Sequence, residues 1–172
     1  PNKKFFLETA KSLGVKVILI DKGLTGAAKL KDMARVKMGF PSQDNWAKDL
    51  VSEFIPVDTT RPEEALAVAR KKLQRSARKN GKINGITTYW EDDVLLTAQI
   101  AEAMGLRYHS VKSAKLARDK AATREFLNDK DLASMTFRKI MSREDMEKAV
   151  ADPSFPFPAF LKPRNGAEGQ FS

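Results

Sequence analysis

The chain has 172 residues, 42% of them apolar and 31% charged, with a net charge of +9 and no cysteine. That length allows one or two domains and a sizeable core, and the balance of apolar and charged residues excludes a disordered chain. Disulfides and zinc–thiolate sites are excluded, and no run nears the ~18 apolar residues needed to span a bilayer.

Pro1 stands first, and no basic stretch with an apolar segment and a small-residue cleavage site follows it. The expectation is an interior or trimmed piece of a longer polypeptide, cytoplasmic by default. Residues 3–13 predict a helix with Phe5, Phe6, Thr9, Ala10 and Leu13 near one stripe, and Gly14 ends it. The β-branched run 15–20 predicts a buried strand. Residues 23–45, rich in glycine and basic residues, predict a loop with one short helix.

Residues 54–57 predict a second strand, with Pro56 placing it at an edge or a strand end. Thr60-Arg61-Pro62-Glu63 fits a capping box, and Leu66, Ala69, Leu73 and Ala77 follow at helical spacing. Asn80-Gly81 stops that helix, and 83–89 predict a third strand. Glu91-Asp92-Asp93 place acids at the start of another helix, where its dipole favours them, and Gly105 ends it. Residues 106–108 predict a short strand. Strand–helix alternation of this kind implies a parallel sheet with crossover helices.

The texture changes near Ser110, where a domain boundary is expected. Residues 113–127 predict one basic helix, 135–140 a strand, and Ser142-Arg143-Glu144-Asp145 the start of a short helix ending before Asp152-Pro153. Residues 157–164 predict a strand that runs into a glycine turn at 165–169. Both ends look cut: a strand is expected before the first helix, and a hairpin partner after the last strand.

Chemistry-bearing residues are few. The single His109 rules out a multi-histidine metal site and reads as structural or solvent-facing. Asp92 and Asp93 could bind a cation, but first-turn acids are more often dipole partners. The basic block at Arg70, Lys71, Lys72, Arg75, Arg78, Lys79 and Lys82 has no acid inside it. It reads as a solvated helix face, with a nucleic-acid-binding module as an alternative that the sparse aromatics disfavour. Lys162 ends an apolar strand just before Gly166 and Gly169. A strand lysine needs an anion or water for its ammonium, and a glycine turn lets backbone N–H groups approach a phosphate. The spacing is not that of a P-loop.

The run 113–127 around Arg118-Asp119-Lys120, the capped helix after it, and the segment from Phe157 to Lys162 with its glycines closely resemble the ATP-grasp superfamily. The upstream strand–helix units resemble the Rossmann-like domain that precedes that fold. Residues 87–93 with 101–106 look most like the carboxylate–amine ligase branch, which includes carnosine-synthase-like enzymes. The resemblance implies an α/β architecture. Residues 1–110 would be a Rossmann-like parallel sheet, and 111–172 the first part of an α+β ATP-grasp nucleotide-binding domain, truncated at both ends.

It further implies that Lys120 and Lys162 approach ATP, with Gly166 and Gly169 in a loop closing over the phosphates. The loop departs from many members, because Glu168 would repel phosphate unless it points away. Mg²⁺ ligands would lie downstream of this chain, so the piece itself would hold no metal and no catalytic residue and would be inactive alone. The parent reaction would join a small-molecule carboxylate to an amine through an acyl phosphate. Trp90 and Glu91, at a strand end before a helix, are the candidate substrate residues, suited to a cationic amine. A different ATP-grasp branch, biotin-carboxylase-like or purine-pathway, is the alternative within the superfamily. An oligomer is possible, and no membrane partner is expected.

Overall fold

The computed structural model describes residues 4–23, 26–38, 47, 49–133 and 135–165. These fall into two compact units, 1–108 and 109–172.

In the first unit, α1 (Lys4–Ser12) leads to β1 (Ile18–Asp21), α2 (Gly26–Lys37), β2 (Glu53–Pro56), α3 (Pro62–Asn80) and α4 (Val94–Met104). Gly14 takes a φ of +71°, and Val15 N–H reaches back to Ala10 O at 2.9 Å, which closes α1 with a left-handed glycine. Strands β1 and β2 pair in parallel, Ile18 opposite Glu53 and Ile20 opposite Ile55. Pro56 is the last residue of β2, as a residue without an N–H should be. The 23–45 region holds more helix than expected: α2 runs for 12 residues. Residues 39–46, with Trp46, lie outside the described residues.

Pro62 sets the frame of α3. It occupies the first helical turn, where its fixed φ fits and its missing N–H is not needed. Arg61 is therefore the N-cap, and the capping box expected at Thr60 does not form. The Thr60 hydroxyl instead donates to Asp58 Oδ1 at 2.5 Å. Ala65, Ala69, Leu73 and Ser76 form the buried stripe of α3, while Arg70, Lys71, Arg75, Arg78 and Lys79 stay exposed. The core joins that stripe to Ile55 and Val57 from the sheet side and to Leu96 and Ile100 of α4.

The expected third strand, 83–89, joins no ladder; the sheet has two strands among the described residues. Ile83 and Ile86 still pack on the core, but Asn84 and Gly85 between them are poor strand formers. Tyr89 stacks on Phe6 of α1 at 3.8 Å between ring centroids. Residues 106–108 form no strand either. Gly105 caps α4 in the left-handed region, and Leu106 N–H bonds Ala101 O at 2.8 Å, which turns the chain away.

In the second unit, the helix expected over 113–127 is two: α5 (Val111–Arg118) and α6 (Lys120–Asp129). Asp119 breaks it. Its backbone is extended, and its carboxylate accepts from Ala121 N and Ala122 N, so it ends α5 and caps α6. Thr123 Oγ1 donates to Leu116 O at 2.7 Å, satisfying a carbonyl at the end of α5. Helix α7 (Arg143–Ala151) starts as its sequence indicates, with Ser142 Oγ accepting from Asp145 N.

The strand expected at 135–140 is absent. Asn128 of α6 instead takes both backbone groups of Met135, at 3.1 and 3.3 Å. No strand forms at 157–164 either, where Pro158 and Pro163 remove donors a ladder would need.

Candidate functional site

Two places gather the residues singled out in the sequence, one in each unit.

In the second unit the site is built around Asp119. Lys120 is the first residue of α6, half-buried, and its backbone N–H donates to Arg164 O at 3.1 Å. Arg164 returns through its side chain. Nε lies 3.0 and 2.9 Å from the two carboxylate oxygens of Asp119, and Nη2 lies 2.6 Å from Oδ2. The segment carrying Lys162 is thus tied to the first turn of α6. Lys162 is exposed, with its ammonium 5.8 Å from the centre of the Phe160 ring. Asp119 is held well below the usual carboxylate range, at about 2, chiefly by the hydrogen bond from Arg164 and then by the Ala122 N–H. Arg164 is raised by the same pair.

The structure therefore brings together the backbone segments of Lys120 and Lys162. Gly166 and Gly169, with Glu168, lie outside the described residues. Sequence reasoning missed Arg164 and the double role of Asp119. The signal was present, because Asp is among the strongest N-cap formers and here it precedes Ala-Ala-Thr after one lysine.

In the first unit a cleft of about 400 Å³ is lined by Thr59, Thr60, Pro62, Trp90, Asp92, Asp93, Leu95 and Leu96. It opens just past the carboxyl end of β2, where open parallel sheets bind ligands. Trp90 lines it and is 58% exposed. Its backbone is fixed by Thr88, whose Oγ1 accepts from Trp90 N at 3.1 Å. Glu91 is exposed and opens the 3-10 turn Glu91–Asp93, while Asp92 and Asp93 reach the cleft.

Asp93 precedes α4 without capping it by its side chain. Burial pushes its carboxyl above the ordinary value; a hydrogen bond from Thr59 opposes this, and the charges of Asp21 and Asp92 add to it. Asp58 orders the opposite wall: it accepts from Thr60 N at 3.1 Å and pairs with Lys22 at 3.3 Å. His109 is exposed. Among the described residues, no group of three or more His, Cys, Asp or Glu could hold a metal ion. None of the described helices is long and apolar enough to cross a membrane.

Comparison with known proteins gives this architecture a class. The family model described as the ATP-grasp N-terminal domain matches residues 7–106, and the chain belongs to that family. Human carnosine synthase 1 is 25% identical over 174 aligned residues, covering 96% of this chain and 18% of that protein. An L-amino acid ligase from Bacillus licheniformis shares the fold at a TM-score of 0.52 and 19% identity, covering 86% of this chain and 38% of that one. The chain thus spans under a fifth of the length of its curated relative. The ATP-grasp resemblance, on its carboxylate–amine ligase side, is borne out by these matches.

Proposed function

We propose that this chain is the front part of an ATP-dependent carboxylate–amine ligase. Residues 1–110 would be its Rossmann-like preceding domain, and 111–172 the start of its nucleotide-binding domain. The observation that carries the reading is the family match over 7–106, joined to a second unit in which the Lys162 segment is bonded to the first turn of α6 at Lys120.

The residues present fit an anionic nucleotide. Two lysines sit on segments held together by the Arg164–Asp119 ion pair, which brings two basic side chains onto neighbouring stretches of backbone. Phosphoryl transfer is mainly positioning and neutralisation of charge. In the proposed reaction a carboxylate oxygen attacks the γ-phosphorus of ATP, ADP leaves, and an amine displaces phosphate from the acyl phosphate. Lys120 and Lys162 bind and orient the nucleotide, with Gly166 and Gly169 as further proposed ATP-binding residues outside the described part of the chain. Among the described residues no group of three or more His, Cys, Asp or Glu gathers to hold a metal ion, so the ligands of Mg²⁺ are proposed to lie elsewhere in the polypeptide and no step is routed through it.

The cleft at Trp90 and Asp93 is proposed as a contact for the amine or the cationic end of an amino-acid substrate. Its two acids and aromatic wall support that reading.

The test is nucleotide affinity in the full-length protein. Lys120→Ala and Lys162→Ala should each weaken ATP binding at least about tenfold, the loss of one charge-assisted contact. Unchanged ATP affinity in both variants would refute the assignment.

A further inference from the structure

Arg164 stands two residues after Lys162 and two before Gly166. A cation in that place is most simply taken for a phosphate ligand, but its guanidinium is committed elsewhere. It forks onto both carboxylate oxygens of Asp119 across 45 positions of sequence, with three contacts between 2.6 and 3.0 Å. Its carbonyl accepts from Lys120 N. One residue therefore grips Asp119 by its side chain and Lys120 by its backbone.

Asp119 is fixed from the other side as well, because Oδ1 accepts from Ala121 N at 3.0 Å and Ala122 N at 3.1 Å. The carboxylate is charged at neutral pH, so it cancels the charge of Arg164. A bidentate pair sets both distance and angle, which a single lysine contact would not.

We infer that Arg164 and Asp119 are a positioning pair that sets the spacing between Lys120 and Lys162, and that Arg164 is not itself a phosphate ligand. The inference rests on the nucleotide reading above and deepens it. The ammonium groups bind phosphate, and the pair holds together the backbone segments that carry them. Asp119 serves as helix cap, hinge between α5 and α6, and anchor for the lysine segment.

The experiment is calorimetric titration of the full-length protein with ATP and, separately, adenosine. The proteins are the parent, Lys162→Ala, Arg164→Met, Arg164→Lys, Asp119→Asn and the double variant Asp119→Asn/Arg164→Met. Asparagine keeps an oxygen for the helix cap, so Asp119→Asn removes the ion pair while sparing α6.

Arg164→Met and Asp119→Asn should each weaken ATP about tenfold, and the double variant should be no weaker than either, as two halves of one interaction require. Adenosine affinity should not move, whereas general destabilisation would lower both. Arg164→Lys should recover little, since lysine cannot bridge both oxygens. Weakening in Arg164→Met alone, or effects that multiply in the double variant, would make Arg164 a direct phosphate ligand and overturn the inference. So would normal ATP affinity in both single variants while Lys162→Ala is impaired.

If the parent binds no ATP, the nucleotide reading fails, and amide exchange decides the pair by itself. Faster exchange in both 120–123 and 161–164 in either variant upholds the clamp, and unaltered exchange overturns it.

Discussion

Ile55 is the place to test how the first unit is held together. It is 1% exposed and is the largest fully buried side chain among the described residues. It stands at the centre of β2, against the α3 stripe and α4. Ile55→Ala removes three carbons, worth ~0.8 kcal/mol each in transfer, or about 2.4 kcal/mol in all. The rigid surroundings on both sides leave part of the vacated space open, which raises the expected loss to about 3–4 kcal/mol.

Ile55→Val removes one carbon and keeps the β-branch, so about 1 kcal/mol is expected. Leu13→Ala is the control. It deletes the same number of carbons from a residue that is 73% exposed, and should cost no more than about 0.5 kcal/mol. Urea unfolding followed by Trp fluorescence and far-ultraviolet dichroism measures all three. Equal losses in Ile55→Ala and Leu13→Ala, or a loss below about 1 kcal/mol in Ile55→Ala, would refute the account of the core.

Three further outcomes are expected. Asp119 and Asp152 both titrate at about 2 in the folded chain against an ordinary 3.8, Asp119 chiefly through Arg164 and Asp152 through the Ser154 hydroxyl and then Arg138. A lowered pKa favours the fold when the group is charged, so this stability is complete above about pH 4 and is lost as pH falls toward 2. Carboxyl NMR titration should show both well below the ordinary carboxylate value, and ordinary values would contradict the two hydrogen-bond networks.

Asp93 has the opposite sign. Its raised pKa makes the fold lose stability as pH rises from the ordinary value through the raised one, and Asp93→Asn should flatten that part of the melting-temperature profile. An unchanged profile would mean that the carboxyl is not buried in the cleft. Gly105 has a φ of +64° with open space where a Cβ would sit, so Gly105→Ala meets only conformational strain, about 1–2 kcal/mol. Gly105→Asn should cost less, and equal stability of all three proteins would exclude the left-handed cap.

Sequence by itself determined what local chemistry decides. The first helix, the glycine stops at Gly14 and Gly105 and the Ser142 cap are each written within a few neighbouring residues, and each forms; of the expected α3 stripe Ala69 and Leu73 are buried, while Leu66 and Ala77 are partly exposed and Ala65 and Ser76 take their places. The two strands that pair, and the ATP-grasp resemblance carried by motif and order, were equally legible.

Tertiary structure alone decided which extended segments find a partner. Residues 83–89 and 135–140 have strand-like composition, but a ladder depends on what lies alongside, and a side chain such as Asn128 can satisfy the backbone instead. Composition likewise could not show that Asp92 and Asp93, more than Glu91, reach the cleft beside Trp90. Nor could it assign the charge of Arg164. A guanidinium suits a phosphate or a carboxylate equally well. Only the folding of residue 119 against residue 164 selects the carboxylate, because that contact spans 45 residues and no local pattern encodes it.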